Sequence, residues 1–325
     1  MTDEIKISDK FSAIVKNPYL VDDRDLILPF AGGLLKVFFN GLSLERLGKM
    51  IKTWNPQSIA NGLNAIIAHK KSGVQVRHDF WNDQAKTADP TRKGTGMLFF
   101  PAATKAPFVL VCPGGAYMSV ASIVEGFPVA AALNRMGYSA FVMTYRTVKN
   151  SFPKPQYDLA QAVHYILDHA NELNVERDGY AVCGFSAGGH LAASFGSDNL
   201  GYLEFDLPAP RSLILAYPVI SMGKMTHAIS RKMLLGKSPT AEQIKETSVE
   251  AHVHAGYPPT YIWHCNHDNT VDFQNSVLLS QALEKAKVAH FLKEVDGTAH
   301  GWGLAEGTAA DGWLDEAVKF WQGIK

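Results

Sequence analysis

The chain has 325 residues, 46% of them hydrophobic and 19% charged, which is enough apolar material for a large soluble core. Lysine plus arginine and aspartate plus glutamate both number 31, so no global field favours nucleic acid or an anionic membrane. The three cysteines, Cys112, Cys183 and Cys265, each close an apolar run and form no C-x-x-C pair. They read as reduced, buried thiols, which together with a polar start (Met1–Lys6) that lacks a signal-peptide core gives a cytoplasmic expectation.

Residues 1–73 differ from the rest and read as an N-terminal helical extension. Its most apolar stretch, Leu26–Phe39, is interrupted by Pro29, Gly32-Gly33 and Lys36, too early for the roughly 20 residues of a membrane span. It is expected to pack on the main domain, to cap an active site or to join subunits, which leaves a homodimer open. Leu44, Leu47, Met50 and Ile51, then Ile59, Leu63, Ile66 and Ile67, recur at helical spacing. From Val74 to the end the pattern becomes α/β. Val74, Val76, His78 and Phe80 alternate as on a strand, with 97–100 as a hairpin partner. Strands at 108–111, 139–145, 179–183, 213–217, 261–264 and 290–295 then take turns with helical segments. That alternation predicts a mostly parallel sheet covered on both faces.

Within it, Gly184-Phe185-Ser186-Ala187-Gly188 follows an apolar strand and opens a run of small residues. A serine between two glycines in a strand–turn–helix setting is a nucleophile elbow. The amide of Ala187 then lies at a helix N-terminus, where it can stabilise an oxyanion. The second donor is expected after strand 108–111, in Pro113-Gly114-Gly115-Ala116-Tyr117, from Gly115 or, as the alternative, Ala116.

Of the 12 histidines, His300 stands in Gly297-Thr298-Ala299-His300-Gly301-Trp302, after the last strand and before the last helix. In a parallel sheet that loop opens at the same edge as the elbow. Asp268 follows strand 261–264, giving the chain order Ser186, Asp268, His300. Asp272 and Asp296 are the alternative acids. Tyr117 and Trp302 flank this centre as candidate pocket walls. His252, His254, His264, Cys265 and His267 lack a tidy ligand spacing, so no metal is expected. The glycines do not form G-x-G-x-x-G, so no dinucleotide cofactor is expected.

These stretches, with Tyr145-Arg146, Tyr217-Pro218-Val219 and Pro258-Pro259-Thr260, resemble the serine esterase/lipase branch of the α/β-hydrolase fold. The closer likeness is to the bacterial acetyl-xylan-esterase-like and feruloyl-esterase-like carboxylesterases. The resemblance covers the chain from about Val74 and implies a cofactor-free serine carboxylesterase acting on small acyl esters, acetyl first. Two positions depart from the pattern. Ala116 replaces a third glycine of the oxyanion loop, and Asp272 stands where proline is common. An amidase, arylformamidase or peptidase with the same triad, and a non-catalytic binding protein on the same scaffold, are the rival readings.

Overall fold

A computed structural model describes residues 3–27 and 41–324. Residues 28–39 of the apolar N-terminal stretch therefore lie outside the described residues. Among the described residues eight strands form one sheet: β1 Arg77–His78, β2 Gly96–Phe100, β3 Phe108–Cys112, β4 Ser139–Thr144, β5 Ala181–Phe185, β6 Ser212–Ala216, β7 Thr260–Cys265 and β8 His290–Val295. Their order is β1-β2-β4-β3-β5-β6-β7-β8. Only the β1–β2 and β2–β4 pairs are antiparallel. This is the mostly parallel sheet that the alternation of elements predicts, and the α/β-hydrolase fold that the resemblance implies.

The expected strand at 74–80 is paired with β2 over two residues only. Val76 and Phe80 share a parity, yet they enter the cores on opposite faces of the sheet. A regular strand would put both on one face, so the chain must twist out of the ladder between them.

β5 lies in the interior of the sheet, between β3 and β6. Every residue of it is buried, and alternate side chains serve opposite cores: Ala181, Cys183 and Phe185 on one face, Val182 on the other. The register aligns Cys112 with Gly184, Phe185 with Ala216, and Cys265 with Val295. Because β3 and β5–β8 run parallel, the loops after β3, β5, β6, β7 and β8 all open at one edge.

The N-terminal segment shares a core with the sheet. Phe11, Ile14, Leu44, Leu47, Ile59, Leu63 and Ile66 are buried with Phe100, Val109 and Phe127 in one apolar cluster. The helix Pro56–Lys71 begins where Asn55 accepts from the amides of Gln57 and Ser58, at 2.9 and 3.3 Å, with proline at the first helical position. It ends on His69, Lys70 and Lys71, which suit the negative end of the helix dipole. Its Gly62 meets the helix Phe127–Arg135 so closely that a Cβ there would stand 2.7 Å from the nitrogen of Pro128. Lys70 pairs with the buried Asp23, tying this helix to the chain before it. Among the described residues no helix is long and apolar enough to cross a membrane.

Candidate active site

The elbow is built by close approach. A Cβ on Gly184 would stand 2.4 Å from the carbonyl oxygen of Gly188, and one on Gly188 2.2 Å from that of Cys112. Both positions therefore accept only glycine. Ser186 takes φ +51°, a left-handed conformation that costs about 1 kcal/mol or more in a residue with a side chain. The reward is a hydroxyl aimed off the carboxyl end of β5, at the start of the helix Ser186–Ser194.

His300 stands between Ser186 and Asp268. Its Nε2 lies 2.8 Å from Ser186 Oγ, and its Nδ1 lies 2.7 Å from Asp268 Oδ2. A carboxylate only accepts, so Nδ1 carries the proton and Nε2 accepts from the serine hydroxyl. That is the tautomer a general base requires.

Asp268 is held as an anion. Burial alone would raise its pKa, but hydrogen bonds from His264 and His300 outweigh this and hold it well below the usual carboxylate range. The backbone amides of Thr270 and Val271 donate to Oδ1 at 2.8 and 3.0 Å. His264 contributes through Nε2, 3.2 Å from Asp268 Oδ2 and 3.0 Å from the carbonyl of Val271. Both partners accept, so Nε2 of His264 is protonated. Its Nδ1 then accepts from Ser276 Oγ at 2.7 Å. The alternative acids are elsewhere. Asp272 is exposed and caps the helix Gln274–Lys285 through the amide of Gln274, and Asp296 is exposed.

The loop after β3 lies directly over the elbow. A Cβ on Gly114 would approach Ser186 Cβ to 2.8 Å. Gly115 and Ala116 both have positive φ, +124° and +57°. Among the described residues, no acceptor within the protein takes up the amide hydrogens of either. Ala187 contributes the second amide of the elbow helix, immediately after Ser186. The alanine at 116 bears backbone strain where the resemblance has glycine, with its N–H left free.

Tyr117 requires a correction. It was expected to line a substrate pocket, but it is fully buried, and its hydroxyl lies 2.8 Å from Nδ1 of His190 inside the elbow helix. Its φ of +56° turns the ring inward. His190 donates its Nε2–H to the carbonyl of Thr247 at 2.7 Å, so Tyr117 anchors the candidate oxyanion loop to the elbow helix. Burial pushes the pKa of His190 down to about 4, which keeps it neutral in this chain of bonds. Trp302 is half-buried, stacks on Trp263 with ring centroids 6.3 Å apart, and lines a cavity of about 260 Å³ together with Trp54 of the N-terminal segment. The other histidines have separate duties. His252 pairs with Asp198, and His254 bonds the carbonyl of Gly196.

Two residues at the centre were not singled out from sequence, Glu125 and the side chain of Tyr217. Glu125 lies in the one-turn π-helix Ser122–Gly126 and accepts from the amide of Gly114 at 2.7 Å. Tyr217 donates to Glu125 at 2.9 Å and accepts from the amide of Gly303 at 3.1 Å. The available signal was a lone acid within the apolar run Val120–Val129.

The BD-FAE family profile matches residues 98–283, more than half of the chain. The chain belongs to the BD-FAE family. The match includes Ser186 and Asp268 and ends before His300. The chain is 34% identical over 222 residues to endo-1,4-beta-xylanase B of Butyrivibrio fibrisolvens, covering 64% of this chain and 34% of that protein. It is 27% identical over 220 residues to an acetylxylan esterase of Xylanibacter ruminicola, covering 65% and 44%. It thus spans about a third to a half of the length of these relatives. Among solved structures, an acetyl ester-xyloside bifunctional hydrolase from Caldicellulosiruptor lactoaceticus superposes with a TM-score of 0.68 at 30% identity, covering 76% of this chain and 96% of that one.

Proposed function

We propose that this member of the BD-FAE family is a carboxylic ester hydrolase that works through Ser186, His300 and Asp268. The single observation that carries the reading is the pair of contacts made by His300, 2.8 Å to the serine oxygen and 2.7 Å to the carboxylate. Ser186 Oγ attacks the ester carbonyl carbon as its proton passes to His300 Nε2. The imidazolium is held by Asp268, and the carbonyl oxygen, now an anion, accepts from the amides of Ala187 and Gly115, with Ala116 beside them. Collapse of the tetrahedral centre returns the Nε2 proton to the departing alcohol oxygen and leaves an acyl ester on Ser186. Water, deprotonated by the same nitrogen, attacks that ester, and the second tetrahedral centre collapses as Nε2 returns its proton to Ser186 Oγ and the carboxylic acid leaves.

Acetyl is the preferred acyl group in this reading, and a xylose-containing saccharide the preferred alcohol. The names of two relatives support this, one an acetylxylan esterase and one an acetyl ester-xyloside hydrolase. The test compares wild type with Ser186→Ala on a chromogenic acetate ester and on acetylated xylo-oligosaccharides. Turnover by wild type and loss of at least about 10³-fold in the variant are expected. Equal rates would end the proposal. Turnover of a matched amide but not the ester would move the activity to the amidase class.

A further inference from the structure

Glu125 stands outside the triad, yet it touches the two loops that the triad's chemistry needs. Its Oε2 holds the amide of Gly114, the residue packed against Ser186 and immediately before the proposed oxyanion donor. Its Oε1 holds the hydroxyl of Tyr217, and the oxygen of Tyr217 holds the amide of Gly303, three residues beyond His300. The ring of Tyr217 also packs edge-on against His300, with centroids 4.7 Å apart. A Cβ on Gly301 would lie 3.9 Å from Glu125 Oε1, so the carboxylate reaches the backbone next to the catalytic histidine.

We infer that Glu125 is a positioning residue: one buried carboxylate that fixes the oxyanion loop with one oxygen and the histidine loop with the other, and whose negative charge favours the imidazolium form of His300. The inference rests on the proposed serine chemistry and adds a fourth side chain to it. Three observations support it. Only 4% of Glu125 is exposed, and carboxylates are almost never this buried without partners. Both oxygens face donors, the amide of Gly114 and the hydroxyl of Tyr217, an arrangement that favours the anion. Burial, the largest effect, raises its pKa above the ordinary carboxyl value, while His300, the amide of Gly114 and the hydroxyl of Tyr217 each act in favour of the anion.

The other titratable groups that feel this charge are Tyr217, Tyr145 and Cys183, each driven further toward its neutral form by burial. Asp268 bonds the imidazole of His300 at Nδ1. His227 is a further titratable neighbour of the imidazole, its pKa lowered by burial and by the charge of His300.

The decisive variant is Glu125→Gln, which keeps the shape and can still accept from Gly114 while it donates to Tyr217. The readouts are kcat and KM for an acetate ester, and the pH dependence of Ser186 inactivation by a fluorophosphonate. The second readout tracks the histidine base without requiring that the ester be the true substrate. The expected result is a fall in kcat of about tenfold or more with KM little changed. The acidic limb of both profiles should move to lower pH by about half a unit to one unit, because the imidazolium loses a nearby anion. An unmoved limb overturns the inference, whether kcat is kept or lost, since a purely structural carboxylate would not set the histidine's titration. If Glu125→Gln does not fold, Tyr217→Phe keeps the charge and cuts the bridge to Gly303. Lower kcat with an unmoved limb then supports the inference, and unchanged kcat overturns it. A wild type that reacts with the fluorophosphonate but hydrolyses no ester would refute the proposed substrate class and leave the Glu125 measurement intact.

Discussion

Replacement of Asp268 by asparagine is the sharpest test of the triad. Asp268 receives hydrogen bonds from His300, His264, Thr270 and Val271. An asparagine oxygen in the place of Oδ1 would still satisfy the two backbone amides. The amide nitrogen would then replace Oδ2 and face two N–H groups, one on His300 and one on His264. The conflict is relieved if His300 adopts the other tautomer, with its proton on Nε2 pointing at Ser186. In that form it cannot take the serine proton. In serine triads the wrong tautomer costs on the order of 10⁴ in kcat, which is about 5.5 kcal/mol of transition-state stabilisation. Some loss of fold stability accompanies it, about 1.5–3 kcal/mol for each charge-assisted bond removed. The ordinary carboxyl value is 3.8 and the folded value lies lower. The stability that Asp268 contributes is therefore complete above the unfolded value and is lost as pH falls through the folded one. Assays at pH 7–8 lie outside that window. The measurement is kcat/KM on a chromogenic acetate at a temperature well below the melting point of the variant. Activity within tenfold of wild type would refute the assignment.

Three further outcomes follow from the same geometry. Gly188→Ala would force a Cβ to 2.2 Å from a main-chain oxygen, and should lose several kcal/mol of stability and all turnover, read by thermal melting and esterase assay. Ser186→Gly should abolish activity and yet raise the melting point, since relief of a left-handed φ is worth about 1 kcal/mol. Buried His190 remains neutral down to about pH 4 in the fold but takes a proton near its ordinary 6.5 when unfolded. Its contribution is therefore fully present above pH 6.5 and is lost progressively toward pH 4, by up to roughly 3 kcal/mol. His190→Gln should flatten that part of a denaturation-versus-pH curve.

What could be read from sequence is what geometry makes compulsory. The elbow demands glycine at 184 and 188 because backbone atoms occupy the space of a side chain. The alternation of strands and helices sends Ser186, Asp268 and His300 to one edge, and it did so without knowledge of any contact. Side-chain direction was harder. Tyr117 sits beside the proposed oxyanion donors in the chain, but its positive φ sends the ring into the interior, a conformation no residue pattern announces. Glu125 and Tyr217 are ninety-two positions apart in the chain, and a carboxylate that links two loops leaves only an isolated acid in an apolar run. His264 could be seen only as one of several histidines near Asp268, because its duty depends on the turn that brings residue 268 back beneath β7.

Energetics bears on the role of residues 3–27 and 41–73 more than motif does. Phe11, Ile14, Leu44, Leu47, Ile59, Leu63 and Ile66 are at most 1% exposed and share one cluster with Phe100, Val109 and Phe127 of the sheet and its helix. Burial of each such side chain is worth about 1.5–3 kcal/mol, against a whole-domain stability of about 5–15 kcal/mol. The same segment also braces the histidine loop. Asn55 and Ser58 both donate to Glu306, six residues past His300, and Asn55 does so at 3.1 Å. A detachable cap should leave a competent hydrolase behind when it is removed; an integral layer of the core should not. The second is expected here. A chain that starts at Gly73 should be insoluble, or should lack the cooperative unfolding transition of the full protein, as judged by circular dichroism and thermal melting. A folded 73–325 fragment with wild-type fluorophosphonate reactivity would show that the apolar cluster is dispensable and that the segment is a cap after all.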